Sequence, residues 1–224
     1  MVACGNRPSP LPAFGGTVAH AHLAHLAPLA HLPRLDESVM ALFRDRSDVS
    51  VRPAVVGDEE TIARIQLGAW QAAHVDVLGA DVLDNLDAAT FRERWAAAII
   101  APPGPGYRVL VACEGATVVG FAAVGPLRAD EATPLAKPGG ELLALEVAAR
   151  SQRTGHGSRL LAAAVDTLRQ DGAGYLVAWV LDGDSARAQF LRSAGLGPDD
   201  ATRVLATGPT PGRTVSEHRW SAGL

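Results

Sequence analysis

Residues 152 to 161 read QRTGHGSRLL, with Gly155 and Gly157 one residue apart at the mouth of a helix-like run. A helix N-terminus leaves its first backbone N–H groups without intrahelical partners, and the aligned peptide dipoles make that end positive. Glycines let the chain turn tightly and bring an anion close, with no Cβ in the way. The amides of Arg153, Thr154, Gly155, His156, Gly157 and Ser158 are therefore able to ring a diphosphate. Each exposed charge–dipole contact contributes only about 0.3–1 kcal/mol, so several must converge. Taken alone, G-x-G fits a tight strand-to-helix turn with no ligand equally well. Two other phosphate loops are excluded. The dinucleotide fingerprint fails because Leu160 occupies its third glycine position, and a Walker A loop lacks its Lys-Ser/Thr pair.

The elements around this turn follow from apolar periodicity. VSVRPAV (49–55) alternates as a strand does. DEETIARIQLGAWQAAH (58–74) opens with Asp58 as candidate N-cap, Glu59 and Glu60 at the positive end, and Ile62, Ile65 and Ala69 on one face. A second helix is expected over 87–99, capped by Asp87, and APPGPG (101–106) is a loop by composition. YRVLVACE and TVVGFAAVGP form a hairpin through Gly115-Ala116, followed by a polar loop over 126–139. ELLALEV (141–147) is too apolar for a one-sided strand and belongs in the middle of its sheet. The helix after the glycine turn carries Leu160, Leu161, Ala164, Val165 and Leu168 on one stripe and stops at Gly172. GYLVAWVL is another buried strand, DSARAQFLRSAG (184–195) a short helix, and ATRVLAT and TVSEHRW a closing pair of strands. The order β-α-α-β-β-β-α-β-α-β-β describes an α/β (α+β) fold: a mixed sheet flanked by helices.

Residues 1–47 differ from the domain expected over 48–224. His20, His22, His25 and His31 stand on an Ala/Leu background broken by Pro28 and Pro33. No carboxylate or cysteine joins them at ligand spacing, so the expectation is a poorly ordered extension and no metal site, with Met40 an alternative start. No cleavage site for a secretory signal follows, and no run reaches the roughly 18 apolar residues of a membrane span. Cys4 and Cys113 make neither a disulfide framework nor a metal motif, which points to the cytoplasm. With 48% hydrophobic residues, 20% charged and a net charge of −4, the chain has a core to bury and no nucleic-acid surface.

Two segments carry a family resemblance. In GELLALEVAARSQRTGHGSRLL (140–161), Leu145 and Val147 end the strand, and Gln152, Gly155 and Gly157 follow in the pattern Q/R-x-x-G-x-G/A. This stretch resembles the acetyl-CoA-binding segment of the GCN5-related N-acetyltransferase (GNAT) family. VLDGDSARAQFLRSAGL (180–196) resembles that family's later motif N-x-x-A-x-x-F-Y-x-x-x-G-F: Phe190 and Gly195 match, while Asp184, Arg187, Leu191 and Leu196 replace its Asn, Ala, Tyr and Phe. VRPAVVGDEETIARI looks like the family's first strand and helix. The resemblance implies a mostly antiparallel sheet splayed between ELLALEV and GYLVAWVL, with acetyl-CoA in the cleft. It assigns backbone groups of Leu145 and Val147 to the pantetheine arm, and the loop Gln152, Arg153, Thr154, Gly155, His156, Gly157, Ser158 to the pyrophosphate.

The implied reaction is acetyl transfer to a primary amine of a small molecule or a protein, with Glu141 as general base and Glu146, on the opposite strand face, ranked second. Arg153 and Arg159 either reach phosphates or lie solvated, and Glu141 is otherwise an edge glutamate in solvent. His156 is assigned backbone duty only, and Asp184 a helix cap. His74 and Trp70 are candidates for the acceptor wall, against a surface position for His74 and core packing for Trp70. Leu191 cannot protonate a thiolate as the family's tyrosine does, and neither Tyr107 nor Tyr175 sits in a matching motif. A homodimer is compatible with the family. The competing readings are an acyl-CoA-binding module with little turnover and, through the N-terminal histidines, a metal-handling protein.

Overall fold

Strands buried on both faces need cover on both, and helices supply it. The computed structural model describes residues 49–127, 138–206 and 214–224. The N-terminal histidines, Met40 and most of the 126–139 loop lie outside the described residues. In chain order the elements are β1 (Val49–Pro53), α1 (Glu59–Ala73), α2 (Val75–Leu78), α3 (Ala80–Asp84), α4 (Ala88–Ile100), β2 (Arg108–Glu114), β3 (Thr117–Pro126), β4 (Gly139–Val147), a 3₁₀ turn (Ala149–Ser151), α5 (His156–Gln170), β5 (Tyr175–Leu181), α6 (Ser185–Ser193), β6 (Gly197–Ala206) and β7 (Thr214–Gly223).

The strands form one sheet in the order β1-β2-β3-β4-β5-β7-β6, antiparallel at every step except β4–β5. One face carries α5 and α6, whose Leu160, Leu161, Leu168 and Leu191 pack on Leu142, Leu145, Leu176 and Trp220. The other carries α1 and α4, where Ile62, Ile65 and Trp95 close over Val111, Cys113 and Phe121. Among the described residues no helix is long and apolar enough to cross a membrane.

Two irregularities of β4 shape everything that follows. Ala123 pairs with Ala144 but Val124 with Leu142, so Leu143 is an extra residue, 47% exposed, and the strand changes faces there. The parallel pairing with β5 runs only from Gly139↔Tyr175 to Leu142↔Ala178. Beyond it, residues 143–147 and 179–181 part, and the sheet opens.

The sequence misplaces details where side-chain chemistry outweighs local pattern. Asp58 stands at the start of α1 but makes no side-chain cap. Its carboxylate turns back to the Arg52 guanidinium (2.7 and 3.0 Å) and the Val55 amide (2.9 Å), and Arg52 holds it below the usual carboxylate range. Asp87 and Asp184 do cap their helices. Two short helices, α2 and α3, fill the stretch between the two helices foreseen, broken at Gly79. Strand β6 begins at Gly197, earlier than the alternation of 201–207 indicates.

Candidate active site

The open seam of the sheet has a free edge on β4. Ala148 donates its N–H to Val119 O (2.8 Å), which fixes the antiparallel alternation. Glu146 and Ala148 therefore turn their backbone groups to β3, and Leu145 and Val147 turn theirs into the gap. Both of those carbonyls accept from side chains: Leu145 O from Arg187 Nη2 (3.1 Å) and Val147 O from Gln152 Nε2 (3.1 Å).

After β4 the chain makes its 3₁₀ turn and enters α5 through two left-handed residues, Arg153 (φ 63°) and Gly155 (φ 88°). Gly155 takes that conformation without steric cost. Arg153 does so at about 1–2 kcal/mol, strain of the kind stored at functional loops. Thr154 Oγ1 ties the loop down through Ser151 O (2.7 Å). The first amide to find a helical acceptor is that of Arg159, on Gly155 O (3.1 Å). Among the described residues, the amides of Arg153 to Ser158 meet no protein acceptor. Arg159 folds back over the loop, its Nη1 on Thr154 O (3.2 Å), while Arg153 is exposed. Two cations and a row of amides without acceptors among the described residues suit a diphosphate.

His156 does more than lend its backbone. Its ring is 1% exposed, and Nε2 meets Glu114 Oε1 of β2 at 2.7 Å, tying the first turn of α5 to the sheet. Nothing in the loop pattern announced this, since Glu114 is 42 residues away in sequence.

Glu141 is 6% exposed, which rules out the solvated edge position. It pairs with Gly125 on one side and Val177 on the other, one residue before the strands part. The Tyr107 ring lies over Gly125, 2.6 Å from where a Cβ would stand, on the same face as Glu141. The sequence motifs gave no reason to promote Tyr107. Trp179 of β5, two residues beyond the Val177 that pairs with Glu141, has a buried indole N–H with no partner among the described residues.

Glu146 lies on the α1 face, as strand alternation requires. It meets Arg187 of α6, Nη2 to Oε1, at 2.5 Å. Helix α6 packs on the other face, so this contact passes through the gap. Burial pushes the Glu146 carboxyl up against the pull of the Arg187 guanidinium. Asp184 steadies Arg187 from the helix start (3.6 Å). Leu191 is 1% exposed and belongs to the core.

His74 is not on the surface. It closes α1, 9% exposed, with Nδ1 lacking a partner among the described residues. The adjoining α2 reaches the β5–α6 turn, with Val77 Cγ2 3.9 Å from the Cβ position of Gly183. Burial pushes the imidazole below its ordinary value, Asp184 opposing and Arg187 assisting. Trp70 is only half-buried, edge-to-face with Phe91 at 5.6 Å. The depressed His74 value has a stability consequence. Below the unfolded value of about 6.5 the unfolded chain takes up a proton that folded His74 refuses, so stability falls with pH until the folded value is reached. Chemical denaturation between pH 7.5 and 5 is expected to show this slope in the natural chain and a shallower one in His74→Gln; equal slopes would contradict it.

Comparison with known proteins gives a consistent picture. The family model described as Acetyltransferase (GNAT) family matches residues 73–196. The curated protein called uncharacterized N-acetyltransferase YuaI, from Bacillus subtilis (strain 168), is 30% identical over 135 residues, 60% of this chain and 72% of that one. Among solved structures, the ribosomal-protein-alanine N-acetyltransferase from Brucella melitensis superposes with a TM-score of 0.58 at 24% identity, covering 78% of this chain and 99% of that chain. The PaiA N-acetyltransferase from Thermoplasma acidophilum, in complex with coenzyme A, does so with a TM-score of 0.62 at 16% identity, covering 79% and 99%. At these identities the structural matches speak for the fold.

Proposed function

Since the chain belongs to the acetyltransferase (GNAT) family, we propose that it transfers an acetyl group from acetyl-CoA to a primary amine by direct attack of the amine on the thioester. Acetyl-CoA is the cosubstrate of the family. The observation that carries the reading is the row of unpaired amides from Arg153 to Ser158 standing beside the parted strands. In this reading those amides, with Gln152 at the loop's start, hold the pyrophosphate. Leu145 and Val147 offer the pantetheine arm the N–H and C=O groups of a strand edge. Arg187 and Gln152 then yield the two carbonyls to that arm.

An alkyl amine is mostly protonated at neutral pH, with a pKa of about 10.4, so a base must take a proton before attack. Glu141 is our base: buried, and beside the point where the strands separate. The acceptor approaches from the α1 face, past Leu143, Tyr107 and Trp179. We read residues 48–224 as the catalytic domain, residues 1–47 as an extension outside it, and the cytoplasm as its compartment. Calorimetry with coenzyme A, followed by thiol release from acetyl-CoA across a panel of amines, tests the reading. Binding with turnover on at least one amine is expected. Folded protein that takes up no coenzyme A would end it, and tight binding with no turnover on any amine would favour a binding module.

A further inference from the structure

The gap between β4 and β5 holds a guanidinium, that of Arg187, flanked by the carboxylates of Glu146 (2.5 Å) and Asp184 (3.6 Å). Arg187 is the fourth residue from Asp184, and its guanidinium enters the gap to reach Leu145 O at 3.1 Å and Glu146 Oε1 at 2.5 Å. Its side chain is 22% exposed and that of Glu146 16%. Arg187 and Leu191 lie one helical turn apart, on the same face of α6. Leu191, where the family motif carries tyrosine, has no proton to give and is sealed in the core. Among the described residues, the cationic side chain on the gap-facing carbonyl of Leu145 is Arg187.

We infer that Arg187 is a catalytic residue that stabilises the departing thiolate electrostatically, in place of a proton donor. The inference rests on the reading of the gap as the thioester site. The neutral amine nitrogen bonds to the thioester carbon, and the C–S bond breaks with its electron pair left on sulfur. The proton shed by nitrogen passes to Glu141 and on to solvent. Sulfur leaves as an anion facing a guanidinium that stays charged at every working pH. A thiolate is a stable enough anion to depart this way, with a thiol pKa near 8.5 for cysteine. Glu146 and Asp184 set the strength of the effect: Glu146 holds the guanidinium in the gap, and both carboxylates cancel part of its charge.

Two substitutions must then act in opposite directions. An opposite charge within about 4–6 Å lowers a pKa by roughly 1–3 units. Coenzyme A bound to the natural chain is expected to titrate at its thiol below the free compound, followed by the ultraviolet absorbance of the thiolate. In Arg187→Ala the bound thiol returns toward the free value, with about tenfold less thiolate at a given pH and a kcat lower by about tenfold or more. In Arg187→Lys it lies between. In Glu146→Gln, where the guanidinium keeps its charge and loses the nearer of its two carboxylates, it moves further down. A purely structural role would not move the two variants oppositely.

Arg187→Ala leaves a largely buried carboxylate without its cation. Should it fail to fold, Arg187→Lys and Glu146→Gln decide the matter alone. The inference is overturned if bound coenzyme A titrates identically in all the folded variants. It is also overturned if Arg187→Ala binds coenzyme A more tightly and turns over faster, which would make Arg187 an obstacle. A natural chain that binds no coenzyme A would instead bring down the proposed function, and the two failures are distinct.

Discussion

Glu141→Gln is expected to lower kcat/KM by about 100-fold or more while leaving the affinity for coenzyme A unchanged. General base help typically contributes about 10²–10⁴-fold, and Gln keeps the shape of the side chain while losing its basicity. The placement of Glu141 is what justifies so large a figure. Its Cα partners are Gly125 and Val177, in the last stretch where β4 still pairs with β5. It is 6% exposed, so it lies inside the seam and not in bulk water. Gly125, its partner on β3, leaves the space that the Tyr107 ring fills on the same sheet face. In our reading the coenzyme loop begins at Gln152, beyond the far end of the strand, so binding and proton transfer are separable. Steady-state kinetics at several pH values, together with calorimetry on both proteins, measures the two quantities. An unchanged kcat/KM removes Glu141 from the mechanism. A parallel loss of coenzyme A binding would mean that the residue shapes the cleft.

The parts of the site that could be read in the sequence are those written in local chemistry. A glycine turn before an amphipathic helix is local: the turn conformation, the unpaired amides and the apolar stripe Leu160, Leu161, Ala164 and Leu168 all lie within one segment. The hairpin at Gly115-Ala116 is local too, and the splaying of the sheet between β4 and β5 follows from the family resemblance. What stayed hidden depends on contacts between distant segments. Arg187 stands in the sequence only as a replacement for the motif's alanine; its reach to Glu146, 41 residues back, depends on β4 and β5 separating. His74 reads as exposed until α2 folds the chain end of α1 against the β5–α6 turn. The extra residue Leu143, which reverses the face of β4, follows from packing on β3 and leaves no mark in an all-apolar run. Glu141 could be named as a candidate, but its burial could not.

Gly155→Ala is expected to raise the dissociation constant for coenzyme A by about tenfold or more, a loss of roughly 1.4 kcal/mol, and Gly172→Ala to leave it unchanged. The two glycines bracket the same helix and share φ +88°, so an alanine Cβ strains both alike, by about 1–2 kcal/mol. Their surroundings differ. At Gly172 nothing lies within 4 Å of the added carbon. At Gly155 the carbon would stand 2.9 Å from Arg159 Nη1, driving that guanidinium off the loop. The chain can relieve the strain at either site by rotating toward negative φ. At Gly172 that turns only the end of α5, about 22 Å from the amide row at 1.5 Å rise per residue. At Gly155 the same rotation swings the amides of Gly155 and His156 out of the row that has to converge on one anion. Thermal unfolding should therefore show similar destabilisation in the two variants, and calorimetry a difference in binding confined to one. Equal affinities would mean that the loop is a bare turn and that coenzyme A is held elsewhere. At saturating acetyl-CoA the Gly155→Ala enzyme should recover its kcat, because in our reading the loop holds the pyrophosphate of the cosubstrate and not its thioester.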